Sequence, residues 1–313
     1  MKLGYLFPGQ GAQYPGMCKP YYETSPNVRR LFEQASDLVH RDLARLLFES
    51  TDEELKETSN TQLSITLANL ATYQVLKDRG WEPSLCAGFS LGEYSALVVS
   101  GVLSIEAVFP LVKKRGELMA EAAEKLDRSQ GNPGMAAVMG LGPEQVLAIV
   151  QGLGRDDVFC ANFNSPVQTV ISGTAEGLAK AEEALKAGGA KRIITLKVSG
   201  PFHSPLLVEA SRAFREVLKD VVFNDPKITL FSNVTGQAID SGLVAKELAA
   251  QQIISPVRWT DEMQGINKLS PDGVLEVGPG TVLTGLWKAQ FAESVCYPVG
   301  KPEDLEKVPF HTV

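Results

Sequence analysis

A chain of 313 residues, 44% of them apolar, can bury the core of one large domain, or of a large domain and a small one, which excludes a fibre or a disordered chain. Its formal charge of -7 argues against general binding of nucleic acid or of an anionic membrane, because both require a basic face. No apolar run approaches the roughly 20 residues of a membrane helix, and the first five residues lead into a strand pattern without a signal-peptide core, so a cytoplasmic location is expected.

The opening strand spans residues 2–7, and Pro8-Gly9-Gln10-Gly11 follows it as a glycine-rich loop lacking both the P-loop ending and the full dinucleotide-binding pattern. Three uses are open to it: to cradle a phosphate, simply to turn the chain, or, as expected here, to aim a backbone amide, that of Gln10, at the serine of a motif further along the chain. Leu31, Phe32, Ala35, Leu38 and Val39 recur at helical spacing and predict a helix over 28–47. Thr51 followed by Asp52, Glu53 and Glu54 reads as a capped short helix, and a longer one carries Gln62 and stops near Gly80. Gln62 is open to three readings: packing, capping or substrate contact.

The chain then reaches Gly88-Phe89-Ser90-Leu91-Gly92, a Gly-x-Ser-x-Gly pentapeptide between the strand end Leu85-Cys86-Ala87 and a helical segment over 93–99. A serine on so sharp a strand-to-helix corner needs glycines beside it, because a Cβ there would clash. The corner lifts the hydroxyl clear of the sheet and aims the first amides of the helix, beginning with that of Leu91, at a forming oxyanion.

Ser104 caps a helix reaching about Lys125. Arg115 on it is either a solvated helix charge or a buried guanidinium for an anionic substrate group. After a polar linker over 127–133, the pattern reads strand 135–139, helix 143–152, strand 158–163, strand 168–172, helix 176–187 and strand 192–198. This βαββαβ order is the split βαβ arrangement of a ferredoxin-like domain. It predicts an α/β chain with a small domain at 127–198 inserted into a large one formed by 1–126 and 199–313.

Beyond the insertion, Pro201-Phe202-His203-Ser204-Pro205 is a loop opening a helix. The chain has three histidines. His40 falls in a charged helical stretch and His311 in the tail, which leaves His203, held between prolines on a loop, as the candidate imidazole base. A strand over 228–234, a helix over 243–252 and a last strand from Gly273 complete the pattern. Cys18, Cys86, Cys160 and Cys296 show no paired spacing, so they read as reduced thiols with no metal site expected.

Together these motifs resemble the malonyl-CoA:acyl carrier protein transacylases of the fatty-acid and polyketide acyltransferase family. The resemblance runs from Phe7-Pro8-Gly9-Gln10-Gly11 through the serine pentapeptide, Arg115-Gly116-Glu117-Leu118-Met119, Asn162-Phe163-Asn164-Ser165-Pro166, Pro201-Phe202-His203-Ser204 and Ser255-Pro256-Val257-Arg258-Trp259 to Glu276-Val277-Gly278-Pro279-Gly280. It implies a hydrolase-like large domain with a mostly parallel sheet and a ferredoxin-like insertion. It implies malonyl-CoA as substrate, acyl carrier protein as partner, and no cofactor of the enzyme's own, since the phosphopantetheine rides on the carrier.

By the same resemblance Ser90 is the nucleophile, His203 the base and Gln252 the residue whose oxygen orients the histidine. Gln10 and Leu91 supply the oxyanion amides, and Arg115 grips the free malonyl carboxylate. Gln62, Met119, Asn164 and Phe202 stand near the acyl group, and Lys191, Arg192 and Lys288 are candidates for the carrier surface. Three positions depart from the family pattern. Phe89 stands where histidine is usual, Leu63 where proline is usual, and Val167 where glycine is common.

The serine corner also fits an α/β-hydrolase esterase or thioesterase, which would need a late histidine, or a patatin-like hydrolase using Asp272. A non-catalytic carrier-binding subunit is the remaining alternative.

Overall fold

The computed structural model describes residues 1–309. His311 lies outside the described residues. In chain order the strands are β1 (Leu3–Phe7), β2 (Pro83–Gly88), β3 (Gly134–Met139), β4 (Val158–Ser165), β5 (Gln168–Gly173), β6 (Arg192–Thr195), β7 (Thr229–Phe231), β8 (Ala238–Ile239), β9 (Gly273–Glu276) and β10 (Cys296–Pro298).

They form two sheets. The larger has the order β10-β9-β1-β2-β7-β8 and is parallel except for the terminal β7–β8 pair. Parallel strands need crossover connections, and the helices that supply them cover the sheet. All five residues of β1, at the middle of the sheet, are therefore buried.

The smaller sheet has the order β4-β5-β3-β6, antiparallel at every pairing. Its strands and the helices Pro143–Gly152 and Ala175–Ala187 follow the βαββαβ sequence. The two-residue period of a strand explains how this sheet is seated. On β3, Ala136 and Val138 join the small core with Val146, Val150, Ala181 and Leu185 of the two helices. The intervening Met135 and Ala137 face the other way and join the main core. A parallel bridge between Asn162 and Val257 ties β4 to the segment leading into the helix Trp259–Lys268, with Phe163 N donating to Val257 O at 2.9 Å and Val257 N to Ala161 O at 2.8 Å.

Several elements differ from the sequence reading. The helix expected over 28–47 is two helices, Pro26–Val39 and Leu43–Glu49. His40 adopts a left-handed φ of 53° and ends the first, and the Asp42 carboxylate accepts the Arg45 N–H at 2.9 Å to start the second. Apolar periodicity runs across this break because both helices face one core. The last insertion strand ends at Thr195, and β7 covers only three residues of the expected 228–234. β9 is not the last strand, because β10 pairs beside it. The helices Trp259–Lys268 and Val282–Gln290 were not anticipated.

Candidate active site

The corner between β2 and the helix Gly92–Val99 carries Ser90 with φ 52°, in the left-handed region that non-glycine residues avoid. The flanking glycines are required by space: a Cβ on Gly88 would lie 2.1 Å from the Gly92 carbonyl, and one on Gly92 would lie 2.0 Å from Phe7 O. Phe89 N donates to Phe7 O at 2.9 Å, so β1 supports the corner directly. Ser90 is only partly buried, which leaves its hydroxyl reachable.

His203 also has a left-handed φ, 57°, in the loop before the turn Pro205–Leu207, and it is 4% exposed. Its Nε2 lies 2.7 Å from Ser90 Oγ, and its Nδ1 lies 2.8 Å from the main-chain oxygen of Gln252. A carbonyl oxygen only accepts, so Nδ1 carries the proton and Nε2 offers a lone pair to the serine hydroxyl. This tautomer suits a general base. Burial pushes the imidazole pKa down to about 4; the nearby positive Arg115 lowers it too, and the bond to the Gln252 carbonyl works in the opposite direction.

Arg115 is no solvated helix charge, being 1% exposed. Its Nη1 donates to Gln62 Oε1 and its Nη2 to Gln252 Oε1, each at 2.9 Å. The guanidinium carbon stands 5.2 Å from the centre of the Tyr94 ring. No carboxylate among the described residues forms an ion pair with it, and its Nε has no hydrogen-bond partner. A buried cation held by neutral amides is chemically incomplete, and a substrate carboxylate would complete it.

Gln252, 1% exposed, links these groups. Its main-chain oxygen orients His203 and its Oε1 receives Arg115. Its Nε2 donates to Ser90 O at 3.0 Å and to the Glu93 carboxylate. Glu93 is 7% exposed, and burial pushes its carboxyl up to about 7 although hydrogen bonds from Gln252 and Asn233 pull the other way.

Other expected site residues take these places. Met119 is buried one turn beyond Arg115 on the same helix, and Phe202 is buried beside His203. Asn164 is buried on β4 with its Oδ1 unpartnered. Gln10 lies in the turn after β1; among the described residues neither its amide nor that of Leu91 has an acceptor. Lys191, Arg192 and Lys288 are exposed, and none of them hydrogen-bonds to the Ser90–His203 pair. Asp272 Oδ2 accepts the Lys2 N–H at 2.6 Å and takes no part in the site. Phe89 packs edge-on against Trp259 with ring centres 5.3 Å apart.

The sequence reading missed Asn233, Glu93 and Glu262, all buried around the serine corner. Glu93 follows the pentapeptide directly, a position where an acid entering a buried helix is a usable signal. Asp261 and Glu262 look like ordinary first-turn acids of a surface helix and carried none.

A reachable serine hydroxyl on a strand-to-helix corner, an imidazole fixed in the accepting tautomer and a buried cation beside them define an acyl-transfer site of the serine-nucleophile class. The chain belongs to the acyltransferase family whose model is described as "Acyl transferase domain", which matches residues 4–305. It is 40% identical over 310 residues, 97% of this chain and 95% of the relative, to the malonyl CoA-acyl carrier protein transacylase of Bacillus subtilis (strain 168). Among solved structures it resembles an acyl carrier protein S-malonyltransferase from Vibrio cholerae, with a TM-score of 0.93 at 34% identity, covering 98% of this chain and 99% of that one. It also resembles a malonyl-transacylase solved in complex with its type II PKS acyl-carrier protein, with a TM-score of 0.92 at 35% identity and 98% of each chain covered.

Proposed function

We propose that the protein transfers a malonyl group from malonyl-CoA to the phosphopantetheine thiol of acyl carrier protein through a malonyl-serine intermediate. The observation that carries this reading is the continuous chain Ser90 Oγ, His203, Gln252 and Arg115, which joins a nucleophile and its base to a carboxylate receptor through one glutamine. Relatives named for the same reaction, at up to 40% identity over nearly the whole chain, support it.

The steps follow from the geometry. His203 Nε2 takes the proton of Ser90 as Oγ bonds to the thioester carbon. The resulting oxyanion is received by the amides of Leu91 and Gln10, which have no other acceptor among the described residues. As the C–S bond breaks, the imidazolium gives its proton to the sulfur and CoA leaves as a thiol. The carrier's thiol then repeats the attack in reverse, regenerating free Ser90 and giving ping-pong kinetics. Arg115 holds the free carboxylate of the acyl group, with Gln62 and Gln252 fixing the plane of its fork. Met119, Asn164 and Phe202 shape the acyl pocket. No cofactor of the enzyme's own enters the scheme.

Exposed Lys191, Arg192 and Lys288 are our candidates for the surface that meets the acidic carrier. We take residues 127–198 as the inserted small domain, supported by the origin of all four strands of the second sheet within it. We also place the protein in the cytoplasm; no helix of the described residues is long and apolar enough to cross a membrane.

The test is intact-mass analysis after incubation with malonyl-CoA, followed by addition of holo acyl carrier protein. One malonyl group on Ser90 that passes to the carrier is expected. Release of free malonate with no carrier loading would overturn transfer in favour of hydrolysis.

A further inference from the structure

The left-handed backbone at Ser90 is costly for a residue with a Cβ, and something must hold it there. The side chain of Asn233, which follows β7 by two residues, is placed to do so. Its Oδ1 accepts the Ser90 N–H at 2.8 Å, and its Nδ2 donates to Gly88 O at 2.7 Å. The orientation of this amide is fixed by its partners, because an N–H can only donate and a carbonyl can only accept. One fully buried side chain thus spans the corner, binding the nucleophile on one arm and the last residue of β2 on the other.

A second group holds the first. Nδ2 also donates to Glu262 Oε1 at 2.9 Å, and Glu262 is wholly buried in the first turn of the helix Trp259–Lys268. The same helix begins with Trp259, against which Phe89 packs. Its lead-in is tied back to the strand end, since Arg258 N donates to Asn233 O at 2.9 Å. Burial, and then the neighbouring Glu93 carboxyl, hold the Glu262 carboxyl well above the usual carboxylate range.

We propose that Asn233, anchored by Glu262, is the positioning residue that holds Ser90 in its reactive backbone conformation. It sets where Ser90 Oγ stands relative to His203 Nε2 and where the Leu91 amide points. Neither Asn233 nor Glu262 hydrogen-bonds to Ser90 Oγ or to the His203 ring. Glu262 acts on the serine only through Asn233, and a neutral acceptor at position 262 does the same work.

The proposal rests on the transfer chemistry above, and its test separates the two. Asn233→Ala, Glu262→Leu and Glu262→Gln are compared with the wild type in single-turnover acylation by malonyl-CoA, in steady-state transfer to carrier protein, and in labelling of Ser90 by a fluorophosphonate. That last reaction needs only the serine and its base. For Asn233→Ala we expect acylation and labelling to slow together by about 10- to 100-fold while KM for malonyl-CoA stays within about threefold, since displacing a reacting atom by roughly 1 Å costs rate more than binding.

Glu262→Leu should slow both reactions about tenfold, and Glu262→Gln should recover them to within about threefold of wild type. Should Asn233→Ala fail to fold, the Leu and Gln pair at position 262 carries the test. Wild-type rates for Asn233→Ala, or equal losses for the Leu and Gln variants, would overturn the proposal. If wild-type protein is labelled by the fluorophosphonate but never takes up malonate, the transfer reading fails, and the labelling series still decides the role of Asn233.

Discussion

The two sheets bury polar groups in different ways. Arg115, His203, Gln252, Glu93, Asn233 and Glu262 are all buried in the body built on the parallel sheet, and they form one connected set. The buried polar residues of the antiparallel sheet are neutral: Asn162, Asn164, Ser165, Thr169 and Ser172. Its outer strand β6 exposes Arg192, Ile194 and Thr195. Buried ionisable groups are costly, and Arg115, His203, Glu93 and Glu262 collect where the proposed chemistry is done, whereas buried Glu276 accepts the amides of Leu283 and Thr284 at the start of another helix. The small sheet supplies a packed wall, apolar on one face toward its own helices and on the other toward the main core.

This contrast can be broken from either side. The largest effect belongs to the dyad. Ser90→Ala should abolish malonyl loading, and His203→Ala should lower it by about 10³ or more, read by single-turnover mass analysis. Retained loading in the serine variant would show that the parallel-sheet body does not hold the nucleophile.

Arg115→Ala comes next, with malonyl loading falling about a hundredfold while acetyl loading holds or rises. The ratio of the two, measured on the same preparation, separates a lost carboxylate partner from general damage. Equal losses would assign Arg115 to structure alone.

A third prediction concerns pH. His203 has its pKa lowered to about 4, so the base remains neutral well below the range of a free imidazole. The rate constant for malonyl loading should stay level from pH 7 through 6 and show its acid limb near the depressed value. The sign for stability follows: the unfolded chain takes up this proton below about 6.5 and the native chain does not, so the contribution of His203 is full above that pH and is lost as pH falls toward about 4. An acid limb near 6.5 would mean that the imidazole is not buried as described.

The smallest effect on chemistry is expected in the other sheet's core. Leu185→Ala removes a fully buried side chain from the small cluster and should cost about 2–5 kcal/mol in denaturant unfolding. Its loading rate, measured where the protein is folded, should change by less than about threefold. A large loss of rate would extend the site to the smaller sheet and its helices.

Much of this organisation was legible in the residues. The serine corner showed itself through glycines that steric demand places within two positions of Ser90. The βαββαβ order of residues 134–195 was read from alternating strand and helix periods, and a helix break was misread at His40, where a left-handed cap interrupts an unbroken apolar face. The short strands β8 and β10, with two and three residues, carry too little pattern to be read alone.

The sequence by itself determined the local geometry: the corner that exposes Ser90 and the loop that carries His203, because each depends on residues within a few positions along the chain. Only the tertiary structure decided the partners. Ser90 meets His203 across 113 positions, Arg115 meets Gln252 across 137, and Asn233 reaches Ser90 across 143. Whether Arg115 was a solvated charge or a buried receptor was open in the sequence for the same reason. Burial is set by what packs against a helix face, and the residues that cover this one come from distant parts of the chain.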